Sequence, residues 1–361
     1  MALLEDKWAN VNYILMRDAP AMKNLGLLNG KMGVSLYFFH LSRDTGKADH
    51  LKFAEKLLDE VYEVVVKNPV TCDFGDGLAG ISWALAHLIK EQFVEADVDE
   101  VLSEADDKIF QSISNNPEMN LGFTDGLMGY FTYLVSRLES TGDAHQERAF
   151  VLKRLLVDLV NRMCQAIEEK KWRLAEPPLL SFNWDLPLFL TLLGKAKDLQ
   201  LHGNKIDRLI EAIAPSVLSY FPYRHVNRLY LLYGLRHILN NFNLPQWERH
   251  AVIIHDQFDQ DIMLNKELMD KNIYFSSGLA GVSFILNSPN RAFSGQDNLL
   301  LGADMVDRII KSDFFNSIIN ENSEVKPSLG FMQGLAGIGM QFLFSCRANR
   351  SLRNLGLLLK N

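Results

Sequence analysis

The sequence predicts an all-α protein, an α/α toroid built as a double barrel of about seven inner and seven outer helices within a single domain, residues 1–361. Three observations lead there. A short glycine-marked unit recurs seven times along the chain. Each clear copy opens an almost wholly apolar run of helical length, and a helix apolar all round is a buried one. Between the copies lie amphipathic stretches whose apolar residues fall at helical spacing, as expected of outer helices with one wet face. Convincing period-two strands are absent.

The seven copies are "GLLNGKMGVSLYFF" from Gly26, "DFGDGLAGISWAL" from Asp73, "GFTDGLMGYFTYL" from Gly122, "SFNWDLPLFLTLL" from Ser181, "RLYLLYGLRHIL" from Arg228, "YFSSGLAGVSFIL" from Tyr274 and "GFMQGLAGIGMQFL" from Gly330. Five keep a Gly-x-x-Gly core: Gly30/Gly33, Gly77/Gly80, Gly126/Gly129, Gly278/Gly281 and Gly334/Gly337. The fourth and fifth are degenerate, with Asp185/Leu188 and Gly234/His237 at the same offsets. Copies recur about every 45 to 60 residues, room for one helical hairpin each. The outer stretches include "KADHLKFAEKLLDEVYEVVVKN" from Lys47 and "DVDEVLSEADDKIFQSISNN" from Asp97. Closing the ring gives every inner helix two neighbours and lets one domain exceed the usual size of a single core.

Glycines three apart share one helix face, so they are expected to let inner helices approach closely, at a cost of up to about 1 kcal/mol each in helix propensity. The residue before the first glycine is Asn29, Asp76, Asp125, Ser277 or Gln333. Asp76, Asp125 and Ser277 are therefore expected to be N-caps, whose side-chain oxygens satisfy the orphan N–H groups of a helix start. A ring of such starts aimed at one mouth would gather partial positive charge there.

Composition narrows the function. Hydrophobic residues make up 48% and charged residues 22%, ordinary for a globular protein with a large core. The net charge of −7 argues against a nucleic-acid surface, which needs a basic stripe. Cys72, Cys164 and Cys346 lie far apart without a Cys-x-x-Cys pair, which fits free thiols in a reducing compartment. No signal peptide or membrane span is expected, and a cytoplasmic location follows.

The number and order of the glycine-marked hairpins, with "GLAGI" in the second and last, resemble the lanthionine synthetase C-like family over nearly the whole chain. That resemblance implies an α/α toroid. It also implies work on ribosomally made peptides, in which a Cys thiol adds to dehydroalanine or dehydrobutyrine to leave a thioether. In the family a zinc ion held by two cysteines and one histidine activates the thiol. The fifth repeat there typically reads Trp-Cys-Tyr-Gly and the sixth Cys-His-Gly. Here Leu232 stands at the first cysteine position, and Ser276 and Ser277 stand at the Cys and His positions. Leucine has no lone pair and neutral hydroxyls are poor zinc ligands, so no metal and no cofactor are expected.

The resemblance also carries acid–base positions. The fourth repeat of the family commonly reads His-Gly-x-Pro; here Trp184 takes the histidine position, followed by Asp185, with Pro187 retained. Gly122 replaces an expected aspartate of the third repeat, while Asp73 holds that offset in the second. Arg228 and Tyr233 match the family's arginine and tyrosine of the fifth repeat. Arg228 could bind a carboxylate or an enolate-like oxyanion, or it could pair with Asp185 or another acid. Asp76, Asp125 or Asp185, if buried, could act as base.

The leading expectation is a protein of lanthipeptide-type maturation that binds a dehydrated, Cys-containing precursor peptide and promotes or assists cyclisation without zinc. The alternative is a non-catalytic scaffold that presents the peptide to a dehydratase or another modifying enzyme, with a peptide exporter as a further partner. A third reading, an α/α-toroid glycoside hydrolase, would use two of Asp73, Asp76, Asp125 and Asp185. It would also want exposed aromatics, and Trp184 is the one tryptophan near a repeat start.

Overall fold

The computed structural model describes residues 2–358, apart from 142–145, 170, 172–174, 200, 202, 289–296 and 321–324. Among these residues the regular structure is helical throughout, with no strand. No helix among them is long and apolar enough to cross a membrane. The chain falls into two compact units: Met1–Asn24, Asn29–Val61 and Gln260–Asn361 form one, Leu25–Leu28 and Tyr62–Asp259 the other.

The first unit holds α1 (Ala2–Asp18), α2 (Lys31–Thr45) and α3 (Ala48–Lys67) as far as Val61. It continues with α13 (Gln260–Ile262) leading into a π-helical turn, then α14 (Leu279–Asn287), α15 (Asp297–Lys311), α16 (Asp313–Ile318) and α17 (Leu335–Leu358). Helix α2 is buried without a break from Lys31 to Ser42. Helix α3 buries only His50, Phe53, Ala54, Leu57 and Val61, the single stripe of an amphipathic helix. The Ser35 hydroxyl donates to the Ala54 carbonyl at 2.8 Å and ties the two together.

The second unit holds α4 (Leu78–Lys90), α5 (Val98–Val101), α6 (Ser103–Asn115), α7 (Leu127–Ser140) and α8 (Gln146–Glu168). Then come α9 (Asp185–Asp198), α10 (Gly203–Leu218), α11 (His225–Leu239) and α12 (Pro245–Asp256). The stretch from Asp97, read as one helix, divides at Leu102 into α5 and α6, and the Asp97 carboxylate caps α5 through the N–H groups of Asp99 and Glu100. Arg137 of α7 is fully buried, with Nη2 donating to Asp99 at 2.8 Å and Asp106 at 2.9 Å. Arg148 of α8 donates to the same Asp106 at 2.6 Å. Two guanidiniums against two carboxylates keep this interior charge balanced, as burial demands.

The helix starts differ from expectation. The N-caps of α2, α4, α7 and α14 are Gly30, Gly77, Gly126 and Gly278, none with a side-chain cap hydrogen bond. Asp76, Asp125 and Ser277 are therefore not the caps. The preceding loop folds back instead, and its carbonyls take the orphan donors. The N–H groups of Lys31, Leu78, Leu127, Leu279 and Leu335 donate to Asn24, Thr71, Asn120, Asn272 and Ser328, each seven residues earlier, at 2.8–2.9 Å.

This foldback also explains the glycine spacing. A Cβ on Gly126 would stand 2.5 Å from the Asn120 carbonyl oxygen, and one on Gly129 would stand 2.2 Å from that of Phe123. Both oxygens lie six residues earlier, so the two glycines clear the same strip of loop. Gly278 meets Asn272 and Gly80 meets Phe74 in the same register, at 2.3 Å and 2.0 Å. The close helix approach expected of these pairs occurs between α9 and α11, where a Cβ on Gly234 would stand 2.5 Å from the Pro187 carbonyl oxygen.

Candidate functional site

Neighbouring helix starts are joined through their loops. In the second unit the Leu28 N–H donates to the Gly75 carbonyl at 3.0 Å, and the Gly75 N–H donates to Thr124 at 2.8 Å. In the first unit Ser276 donates to Met332 in the same way, at 2.8 Å. Each of these residues stands two before the first glycine of its copy, so equivalent loop positions are joined main chain to main chain.

Between the starts of α7 and α9 lies a cavity of about 590 Å³, lined by Thr124, Asp125, Ser181, Asn183, Trp184 and Asp185, with Lys171, Ala175 and Pro177 along one wall. It gathers two of the carboxylates anticipated from sequence. Asp125 is exposed and accepts a hydrogen bond from the Thr124 hydroxyl at 3.3 Å. Asp185 is half-buried as the first residue of α9, where a carboxylate complements the helix dipole. Trp184 is 3% exposed, its ring 5.9 Å from Tyr220 and 6.3 Å from Tyr230, and its indole N–H is buried without a hydrogen-bond partner. Lys171 pairs with Glu169 at 2.6 Å.

The other anticipated residues stand outside this lining. Asp76 is exposed, and its N–H donates to Asp73 Oδ1 at 2.9 Å, which also accepts from Gly77 at 3.2 Å. Asp73 thus braces the turn ahead of α4. Arg228 is half-buried in the first turn of α11. Its guanidinium donates to the carbonyls of Pro222 at 2.8 Å, Gln257 at 2.7 Å and Tyr223 at 3.3 Å, and lies 4.6 Å from the centre of the Phe221 ring. Tyr233 is the ninth residue of α11, far from the helix start, with its ring 6.4 Å from Tyr230 and 4.5 Å from His237. Burial lowers the His237 pKa, with Asp198 opposing that shift.

Sequence reasoning missed Glu176. Its carboxylate accepts from the N–H groups of Tyr223 at 2.7 Å and Arg224 at 2.8 Å and from Asn227 Nδ2 at 2.9 Å, capping α11 from outside. Burial, with the Glu176 charge adding to it, pushes the nearby Tyr220 phenol up to about 12. The partners lie 47 to 51 residues along the chain, so no local motif signals the contact.

A sequence model of the lanthionine synthetase C-like proteins matches residues 9–173. Among solved structures the chain is similar to nisin cyclase, with a TM-score of 0.57 at 12% identity over 93% of each chain. The structural likeness shows the fold, all-α and of the α/α toroid class. No curated protein sequence matches.

The family's zinc can be tested against the residues at its ligand positions. Leu232 is fully buried on α11 and presents only hydrocarbon. Ser276 is 8% exposed, and its hydroxyl is buried without a hydrogen-bond partner; Ser277 is half-buried. Neutral hydroxyls and an alkyl chain do not match the thiolate and imidazole donors that zinc prefers. Among the described residues no group of three or more His, Cys, Asp or Glu side chains could hold a metal ion. These residues do not fit zinc.

Proposed function

We propose that this protein acts in lanthipeptide-type peptide maturation, holding a dehydrated, Cys-containing precursor peptide in the cavity at the starts of α7 and α9. The observation that carries the reading is the meeting of Asp125 and Asp185 in one polar cavity within a fold similar to that of nisin cyclase. Assistance to cyclisation comes from placement. A cysteine thiol has a pKa of about 8.5, so a few per cent is thiolate near neutrality. Holding it beside a dehydrated residue can supply several kcal/mol through proximity. Asp125 or Asp185 takes the thiol proton, sulfur bonds to the β-carbon, and the enolate formed takes a proton at its α-carbon. Arg228, Tyr233 and Asp76 serve this reading only as supports outside the cavity.

A second reading is a scaffold that presents the peptide to a dehydratase, with an exporter downstream. The carbonyl contacts of Arg228 favour it, because a guanidinium engaged by three carbonyls is less available to an enolate. The glycosidase reading loses its aromatic platform, since Trp184 is buried.

Metal-free incubation with a dehydrated peptide, followed by trapping of remaining thiols, separates the two. Thiol loss faster than in buffer, reduced in Asp125→Asn, supports assisted cyclisation. Loss at the buffer rate with the peptide retained by the protein leaves the scaffold, and a peptide that is not retained at all removes both.

A further inference from the structure

The loop between α11 and α12 frames a second polar cavity, at the opposite end of α11 from Arg228. It measures about 530 Å³ and is lined by Arg236 and Leu239 of α11, loop residues 240–244 and Glu248 of α12. The loop is pinned. The Asn240 N–H donates to the Arg236 carbonyl at 3.1 Å, and those of Asn241 and Phe242 donate to Ile238, each at 3.1 Å. Asn241 Nδ2 donates to the Gly194 carbonyl of α9 at 3.2 Å. This wall is therefore set before a ligand arrives, which lowers the cost of binding one.

The charged groups among its described lining residues lack partners. Arg236 is half-buried and Glu248 exposed, and neither side chain makes a hydrogen bond or ion pair. A comparable arginine elsewhere is engaged: Arg162 donates to the Ile113 carbonyl near the end of α6 at 3.0 Å. At the end of α11 the loop's own N–H groups take that role. Arg236 and Glu248 thus line one concave space, opposite in charge, without meeting each other. A molecule that carries both charges suits the space between them. The amide of Asn243, exposed and also unpaired, adds donors and an acceptor to the same wall.

We propose that this cavity binds a small zwitterion, an amino acid or short peptide with both ends free. Its carboxylate accepts from the Arg236 guanidinium, a planar fork suited to that group, and its ammonium donates to Glu248. Asn243 meets the polar atoms between the two ends. The inference goes beyond the peptide-maturation reading above and does not depend on it.

The test titrates the full chain at low salt with glycine, triglycine, N-acetyl-triglycine and triglycine amide, and follows binding by NMR. Blocking either end of triglycine is expected to weaken binding by up to about fivefold, the upper range for a partly exposed ion pair. Raising the salt should shrink both differences. Arg236→Gln, checked for an unchanged melting temperature, should erase the preference for a free carboxylate and keep that for a free ammonium. Glu248→Gln should do the reverse. Binding of glycine alone or of triglycine supports the inference and tells a single amino acid from a peptide. Equal affinity for all forms of triglycine, preferences that neither substitution changes, or no saturable binding overturns it. So does a stability coupling between the two substitutions in urea unfolding without ligand, because Arg236 and Glu248 would then pair with each other.

Discussion

At the start of α7 the first helical N–H group is taken by the chain's own loop, seven residues back; ahead of α11, Glu176, 47 to 51 residues away, holds the N–H groups of Tyr223 and Arg224 and the side chain of Asn227. The local solution needs glycine, because the foldback leaves no room for a Cβ at Gly126 or Gly129. The imported solution needs none there, and the glycine of the fifth copy, Gly234, is free to face α9 instead. The comparison teaches that a repeat can lose its glycine motif and keep its helix while a distant carboxylate fastens the turn ahead of it.

The comparison can be broken first at Gly129. Gly129→Ala gains up to about 1 kcal/mol of helix propensity but drives a methyl group into the Phe123 carbonyl and towards the Phe74 side chain. A net loss of about 3 kcal/mol by urea unfolding is expected, at the upper end of overpacking. A neutral result would mean that the foldback does not need glycine. Glu176→Ala removes the external cap of α11 and should cost about 2 kcal/mol in the same assay, since three hydrogen bonds to a charged acceptor disappear. Substitution without loss would place the support of α11 elsewhere.

A smaller effect should appear with pH. Burial depresses the His237 pKa in the folded state, so the unfolded chain binds more protons as pH falls below the ordinary imidazole value of about 6.5. The stability present above that value is lost on acidification. His50 and His250, lowered by burial in the same way, add to the trend. His237→Phe should therefore lose less stability than the wild type between about pH 7.5 and 5.5; parallel curves would exclude His237 as a contributor. The smallest effects belong to Asp76→Ala and Ser277→Ala, expected within about 0.5 kcal/mol because neither side chain caps a helix. A loss of about 1 kcal/mol or more at either would restore the capping role.

These contrasts follow what the sequence could convey. The buried helices α2, α4, α7 and α14 were legible because an apolar run behind a glycine pair has few alternatives. The reason for the pair was misread: helix contact and loop foldback both call for small residues three apart, and only the position of the Phe123 and Phe74 carbonyls separates them. At the cavity, Asp125 and Asp185 were visible as helix-start carboxylates, whereas the part of Trp184 depends on Tyr220 and Tyr230 hemming its ring. Arg228 could be placed near an entrance but not given its carbonyl partners, which the turn before α11 and the end of α12 supply.

The ladder from Leu28 to Gly75 to Thr124, and from Ser276 to Met332, has a bearing on how such a protein changes over generations. Its rungs are main-chain amides, so five unlike side chains occupy equivalent places without altering the alignment of the starts. Mutation can therefore rewrite the chemistry of those places while the framework holds. Ser276 is the instance at hand: a position the family associates with metal carries a small neutral hydroxyl, yet its amide still grips Met332. Inheritance of the scaffold and inheritance of the reaction are separable in this architecture.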